Sequence, residues 1–162
     1  MEVRTSSRAV IINRQNRVLL FKFSFHDIND SINKAIKEFW VTPGGGLKDR
    51  ESFQDALKRE VHEETGIVIQ AKPIWIWTRN VKLEWKEREF ISYERYYLVH
   101  TNISNIDIVN MTENEANTLK HYQWWSINDI ENSHEEFRPP EIAKELQLIL
   151  TETDQVYPIE IT

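Results

Sequence analysis

A chain of 162 residues with 40% hydrophobic content can bury one core of moderate size and is too short for two ordinary domains, so a single domain over 1–162 is expected. Its net charge of −6 excludes an extended phosphate-tracking face for a DNA or RNA duplex, because that kind of binding needs many clustered Lys and Arg. The absence of cysteine excludes disulfides, thiolate metal sites and a cysteine nucleophile. No window approaches the ~18 apolar residues of a membrane span, and the start, MEVRTSSRAV, has charges but no apolar run before a cleavage site. These features predict a soluble, unprocessed, cytoplasmic protein without membrane partners.

Val3 to Ile12, the polar Asn13-Arg14-Gln15-Asn16, and Arg17 to Phe23 predict a strand, a tight turn and a second strand. Ser24 to Glu38 is polar with weak helical period, which predicts an inserted loop or short helix, either a substrate rim or a spacer. Phe39 to Thr42 is a short strand that delivers the chain to Pro43-Gly44-Gly45-Gly46. Glycines there let backbone approach a ligand closely; a plain turn before a helix is the simpler reading of those four residues.

From Gly45 to Ile67 the chain reads GGLKDRESFQDALKREVHEETGI. At 100° per residue, Phe53, Ala56, Leu57 and Val61 share one side of a helix, while Gln54, Asp55, Lys58 and His62 share the other. Glu51 and Ser52 stand where that helix starts, and Gly66 stops it. Glu60, Glu63 and Glu64 project from the apolar side. Carboxylates that close and partly desolvated repel one another until one is protonated or a cation intervenes. The i, i+3, i+4 spacing brings the three within one turn of a single point, and oxygen-only donors suit Mg²⁺, or Mn²⁺, better than Zn²⁺. A solvated, Glu-rich helix end paired with Lys or Arg is the competing reading.

Gly45, five residues, Glu51, seven residues, then Arg59-Glu60, Val61, His62, Glu63-Glu64, Thr65, Gly66 and Ile67 resembles the Nudix box of the Nudix hydrolases at every fixed and hydrophobic position. The resemblance implies the Nudix fold, an α/β/α sandwich in which a central mixed β-sheet carries the box helix on one face and a C-terminal helix on the other. It implies a catalytic set of Glu51, Arg59, Glu60, Glu63 and Glu64, with Arg59 paired to Glu51 so as to orient the rest. It also implies metal held by Glu60, Glu63 and Glu64 and by a glycine carbonyl, that of Gly44 or Gly45. The expected reaction is Mg²⁺-dependent hydrolysis of a nucleoside diphosphate linked to another group X, giving a nucleoside monophosphate and phosphorylated X. Glu60 or a carboxylate outside the box would take the proton from water. The alternative is a non-catalytic module that senses a nucleotide or ADP-ribose. Many family members are dimers, which leaves a homodimer open.

Beyond the box the pattern turns to β. Val68-Ile69, Ile74 to Trp77, Val81 to Trp85 and Phe90 to Val99 are rich in β-branched and aromatic residues, with a charged hairpin tip at 85–89. In the last of these strands Glu94 shares a face with Tyr96, Leu98 and His100. It is a further candidate base or ligand, although a cross-strand ion pair is the commoner role. Thr101 to Leu119 is polar, with a short capped helix suggested at Met111 to Ala116. Family members often place an additional glutamate before the final strand, which makes Glu113 and Glu115 candidates.

His121 to Trp125 is the final strand, and its adjacent tryptophans must point to opposite faces, one to the core and one to a cleft. A short helix at 127–131 follows, and Pro139-Pro140 opens the last helix, about 140–152, with Ile142, Leu146 and Ile149 on one face. The five histidines show no paired spacing suited to Zn²⁺.

Overall fold

Strands β1 (Glu2–Ile12) and β2 (Val18–Ser24) form the hairpin that the first two apolar runs predict. The Asn13 side chain closes the turn by accepting from the amides of Gln15 (3.0 Å) and Arg17 (2.9 Å), and Asn16 takes the left-handed conformation at φ 56°. The computed structural model describes residues 1–24, 28–30, 38–107, 119–152 and 154–162. Most of the expected rim segment 24–38 therefore lies outside the described residues. Its described part is a strand, β3 (Ile28–Asp30), and neither a loop nor a helix.

β1 and β2 part soon after their Ile12↔Val18 pair. Residues 38–46 enter the V that opens between them, with β4 (Glu38–Val41) running antiparallel to β2 and β5 (Gly44–Gly46) antiparallel to β1. The glycine turn is thus a strand as well, and its register pairs Arg8 with Gly44, Ser7 with Gly45 and Ser6 with Gly46.

Helix α1 (Phe53–Thr65) follows. The Ser52 hydroxyl caps it by accepting from Asp55 N at 3.1 Å, and Gly66, at φ 75°, ends it by donating to His62 O at 2.9 Å. The predicted strand at Val68-Ile69 does not form. Ile67 and Ile69 pack inward from an extended loop while Val68 stays exposed, so alternation there records packing without a paired neighbour. The two runs at 74–77 and 81–85 are one strand, β6 (Ile74–Trp85), with a register shift between Trp75 and Trp77. A two-residue turn with Lys86 at φ 49° and Glu87 at φ 61° leads into β7 (Arg88–His100), because two positive φ values match the twist of the flanking strands.

The chain continues through β8 (Leu119–Trp125), α2 (Ile127–Glu131), β9 (Phe137–Arg138), α3 (Ile142–Thr151) and β10 (Ile159–Ile161). Among the described residues the sheet runs β10-β6-β7-β1-β2-β4-β9, with β3 on β6, β5 on β1 and β8 on β2. It is mixed: β7 lies parallel to β1 from Glu2↔Phe90 to Ile12↔His100, while β6 and β7 are antiparallel.

Each face of the sheet carries its own core. Ala9, Ile11, Leu19 and Phe21 pack against Leu57 and Val61 of α1, and Val10, Ile12, Val18 and Leu20 pack with Trp125, Ile130 of α2, and Ile142 and Leu146 of α3. Leu57 and Val61 are fully buried, which contributes about 2 kcal/mol each to anchoring α1. This is the expected α/β/α sandwich. Trp125 belongs to one core and Trp124 packs against the other, so the paired tryptophans do face opposite ways.

Candidate active site and metal centre

α1 carries its carboxylates on its buried flank. Glu60 and Glu64 are 8% and 3% exposed, whereas the Glu63 side chain is 31% exposed. The sequence placed all three inward. Glu63 departs because it lies about 60° around the helix from Glu60, at the edge of the apolar stripe.

The glycine turn meets this flank. The amide of Gly44 donates to Glu64 Oε2 at 2.9 Å. A Cβ on Gly45 would lie 2.6 Å from the Glu60 carboxyl carbon, and one on Gly44, whose φ is 142°, would lie 2.1 Å from the carbonyl oxygen of Ser7. The two glycines are needed for different reasons: Gly44 lets backbone approach backbone, and Gly45 leaves room for a carboxylate. The Ser7 hydroxyl donates to Phe53 O at 2.6 Å, which ties the first turn of α1 to the strand that pairs with the glycines.

Arg59 binds the acidic groups together. Nε and Nη2 each donate to a Glu51 oxygen at 2.8 Å, Nη2 also to Gly46 O at 3.1 Å, and Nη1 to Glu60 Oε1 at 2.7 Å and Glu63 Oε2 at 3.4 Å. The Glu51 pairing expected from the box is present. Its hydrogen bonds from Arg59 and from the Lys48 amide hold the Glu51 carboxyl down at about 2. Among the described residues no three carboxylates or imidazoles stand as a ready-made metal cage. The guanidinium is the positive charge that Glu60 and Glu63 share in this structure.

A flat fork that touches three carboxylates and a carbonyl at once has no equivalent in an ammonium group. Arg59→Lys is therefore expected to lower the catalytic rate roughly 10- to 100-fold while changing the stability by less than about 1 kcal/mol, because the pairs are part-exposed. Steady-state rates alongside thermal melting check this.

Glu94 is elsewhere. It lies on β7 on the face away from α1, 6% exposed, opposite Ser6 of β1 and Arg79 of β6. Arg79 Nη1 stands 3.3 Å from its Oε2, the Tyr96 hydroxyl donates to the same oxygen at 2.6 Å, and the Ser92 hydroxyl to Oε1 at 3.1 Å. The cross-strand ion pair is what the structure displays. Burial alone would push the Glu94 carboxyl up; Arg8 and Arg79, with the two hydroxyls, outweigh it and hold the carboxyl below its ordinary 4.5. The folded protein thus binds fewer protons here than the unfolded chain. The contribution of Glu94 is complete above about pH 4.5 and is lost as pH falls through its lower folded value. At pH 7 Glu94→Gln should cost about 3 kcal/mol by leaving buried guanidinium charge uncompensated. The melting-temperature gap from wild type should narrow steadily as pH drops below 4.5.

Glu113 and Glu115 lie outside the described residues. The sequence also missed Arg8 and Arg79. Arg8, half-buried on β1, donates from Nη1 to Thr42 O at 3.4 Å and Gly44 O at 3.3 Å. The signal was parity: each arginine occupies a position whose strand neighbours two residues away are core, Val10 for Arg8 and Trp77 and Val81 for Arg79.

Whether these residues suit a divalent cation follows from their chemistry. Every donor is an oxygen, two of the carboxylates are buried, and the turn that faces them carries no side chain at the point of contact. The set fits a hard cation such as Mg²⁺ or Mn²⁺.

A two-faced sandwich with a capped, carboxylate-bearing helix laid against a glycine strand defines one class of domain, and the match of residues 3–146 to the NUDIX domain model places this chain in the NUDIX family. Among individual proteins it is similar to the Nudix hydrolase YvcI of Bacillus subtilis, 30% identical over 108 residues. That match takes in 62% of this chain and 60% of YvcI, so the chain spans less than two thirds of that relative's length. Two solved structures share the fold. The MutT protein from Methanosarcina mazei Go1 superposes with a TM-score of 0.61 at 21% identity, covering 95% of this chain and 97% of that one. The E. coli ORF135 protein gives a TM-score of 0.66 at 17% identity, with 96% of each chain covered. No helix among the described residues is long and apolar enough to cross a membrane.

Proposed function

We propose that this protein is a pyrophosphohydrolase that uses Mg²⁺, or Mn²⁺, to split a nucleoside diphosphate linked to a second group X into a nucleoside monophosphate and phosphorylated X. The observation that carries the reading is the meeting of Glu60 and Glu64 with the glycine turn: buried carboxylates at a side-chain-free backbone, with a Gly44–Glu64 hydrogen bond of 2.9 Å. Membership of the NUDIX family supports it.

Glu60, Glu63 and Glu64 supply the metal-binding oxygens, together with the carbonyl of Gly44 or Gly45. A divalent cation held by these oxygens would supply charge to neutralise the pyrophosphate and would lower the pKa of a water. Glu60, or a carboxylate outside the box such as Glu113 or Glu115, removes the proton from the attacking water. Arg59 orients Glu60 and Glu63, and Glu51 holds Arg59 in turn. The Gly44 amide keeps Glu64 in one rotamer, so a ligand that would otherwise sample several is preorganised.

The test is product release in the presence of Mg²⁺ or Mn²⁺ across nucleoside triphosphates, nucleotide sugars, ADP-ribose, dinucleoside polyphosphates and coenzymes. Cleavage of at least one nucleoside diphosphate derivative, abolished by chelation, is the expected result. Calorimetric binding of ADP-ribose or a nucleotide with no product formed would instead assign a sensing role, and neither binding nor cleavage would remove the proposal.

A further inference from the structure

Three consecutive glycines leave the 44–46 backbone without side chains to pack it in place. Two arginines hold it from opposite sides. Arg59 reaches from the helix to Gly46 O at 3.1 Å while Glu51 fixes the other edge of its fork. Arg8 reaches from the far face of the sheet to Thr42 O and Gly44 O at 3.4 and 3.3 Å. The carbonyls they hold, at 42, 44 and 46, bracket the Gly44 amide that receives Glu64 and the hollow at Gly45 that receives Glu60.

Arg8 also has a fixed carboxylate nearby. Its neighbour two residues back, Ser6, sits opposite Glu94 on β7, which makes Arg8 and Glu94 diagonal neighbours on one face, within reach for long side chains. Glu94 is immobilised by Arg79, Ser92 and Tyr96. Burial works against the charge on Arg8, yet Glu94, Tyr96, Glu64 and Glu60 outweigh it and hold the guanidinium firmly protonated. Each arginine is therefore associated with a carboxylate outside the metal-binding trio, Glu51 for Arg59 and Glu94 for Arg8.

From this geometry we infer that Arg8 is a positioning residue for the metal cradle, and that Glu94 serves the site through Arg8 instead of acting as base or ligand. The inference rests on the metal-dependent function proposed above. Without Arg8 the carbonyls of 42 and 44 lose their donor, the turn gains freedom, and the Gly44 amide no longer meets Glu64 in one place. Displacements of about 1 Å at such a centre cost on the order of 100-fold in rate.

Mn²⁺ alone is the probe, titrated into the intact protein and followed by electron paramagnetic resonance at a temperature where melting shows each variant folded. Arg8→Met should weaken Mn²⁺ binding about tenfold, as loss of an outer-shell partner does, and Arg8→Lys and Glu94→Gln by roughly threefold, since each keeps part of the arrangement. The Arg8→Met, Glu94→Gln double variant should bind no more weakly than Arg8→Met. A merely structural role would lower the melting temperature and leave the affinity of the folded protein unchanged; that result in all three single variants overturns the inference, as does strict additivity in the double variant. If Arg8→Met does not fold, Arg8→Lys and Glu94→Gln decide the matter alone. Wild-type protein that binds no Mn²⁺ would sink the metal reading and the inference together, an outcome distinct from wild-type binding that the variants preserve.

Discussion

Glu64→Gln is expected to leave a folded protein whose catalytic rate has fallen on the order of 1,000-fold, about 4 kcal/mol of transition-state stabilisation. The amide side chain matches the carboxylate in shape, and its oxygen still accepts from the Gly44 amide, so the contact seen at 2.9 Å survives. What disappears is a full negative charge at a site 3% exposed, where a charge interacts with a cation far more strongly than in water. Melting should move little, because removing a buried carboxylate from beside Glu60 also relieves repulsion. Unchanged turnover in a folded variant would mean that Glu64 holds no metal.

The second large effect separates two adjacent glycines. Gly44→Ala puts a Cβ 2.1 Å from a backbone oxygen at a φ of 142°, and backbone on both sides resists the shift. We expect a loss of about 3 kcal/mol or more, a fall of roughly 6–12 °C in melting temperature for a domain of this size. Gly45→Ala meets the Glu60 carboxylate first, 2.6 Å away, which is the end of a side chain and not backbone. The fold should hold within about 1 kcal/mol while activity drops roughly 100-fold through misplacement of that carboxylate. Thermal melts and rates measured on both variants distinguish the two kinds of loss, and equal effects on stability would contradict the assignment of different jobs to the two glycines.

How readily each part could be read from the sequence follows the range of the interactions that make it. Helix α1, with its Ser52 cap and Gly66 stop, depends on residues a few positions apart, and its ends were legible to within a residue or so. The facing of Glu60 and Glu64 followed from helical angle alone. The Glu51–Arg59 pair is also within reach of one element and its lead-in, but the family resemblance, and not the spacing, pointed to it. Arg8 and Arg79 were invisible for the opposite reason. Their meaning depends on β1, β6 and β7 lying side by side, and no local pattern states which strands become neighbours. The same gap divided β6 in two: Thr78, Arg79 and Asn80 look like a polar break until Arg79 is seen to be 4% exposed opposite Glu94. Val68-Ile69 erred the other way, since alternation identifies a buried side but cannot supply a pairing partner.

The parallel union of β1 and β7 has a consequence for how the molecule comes into being. β1 emerges well before its long partner and cannot pair with it until the ninetieth or so residue and those beyond it have been made, with the whole glycine turn and α1 in between. Closing so wide a loop is a slow, entropically costly event. A nascent chain halted before Arg88 would carry every residue of the box, the glycine strand and β1, while lacking the long strand that flanks β1 and bears Glu94.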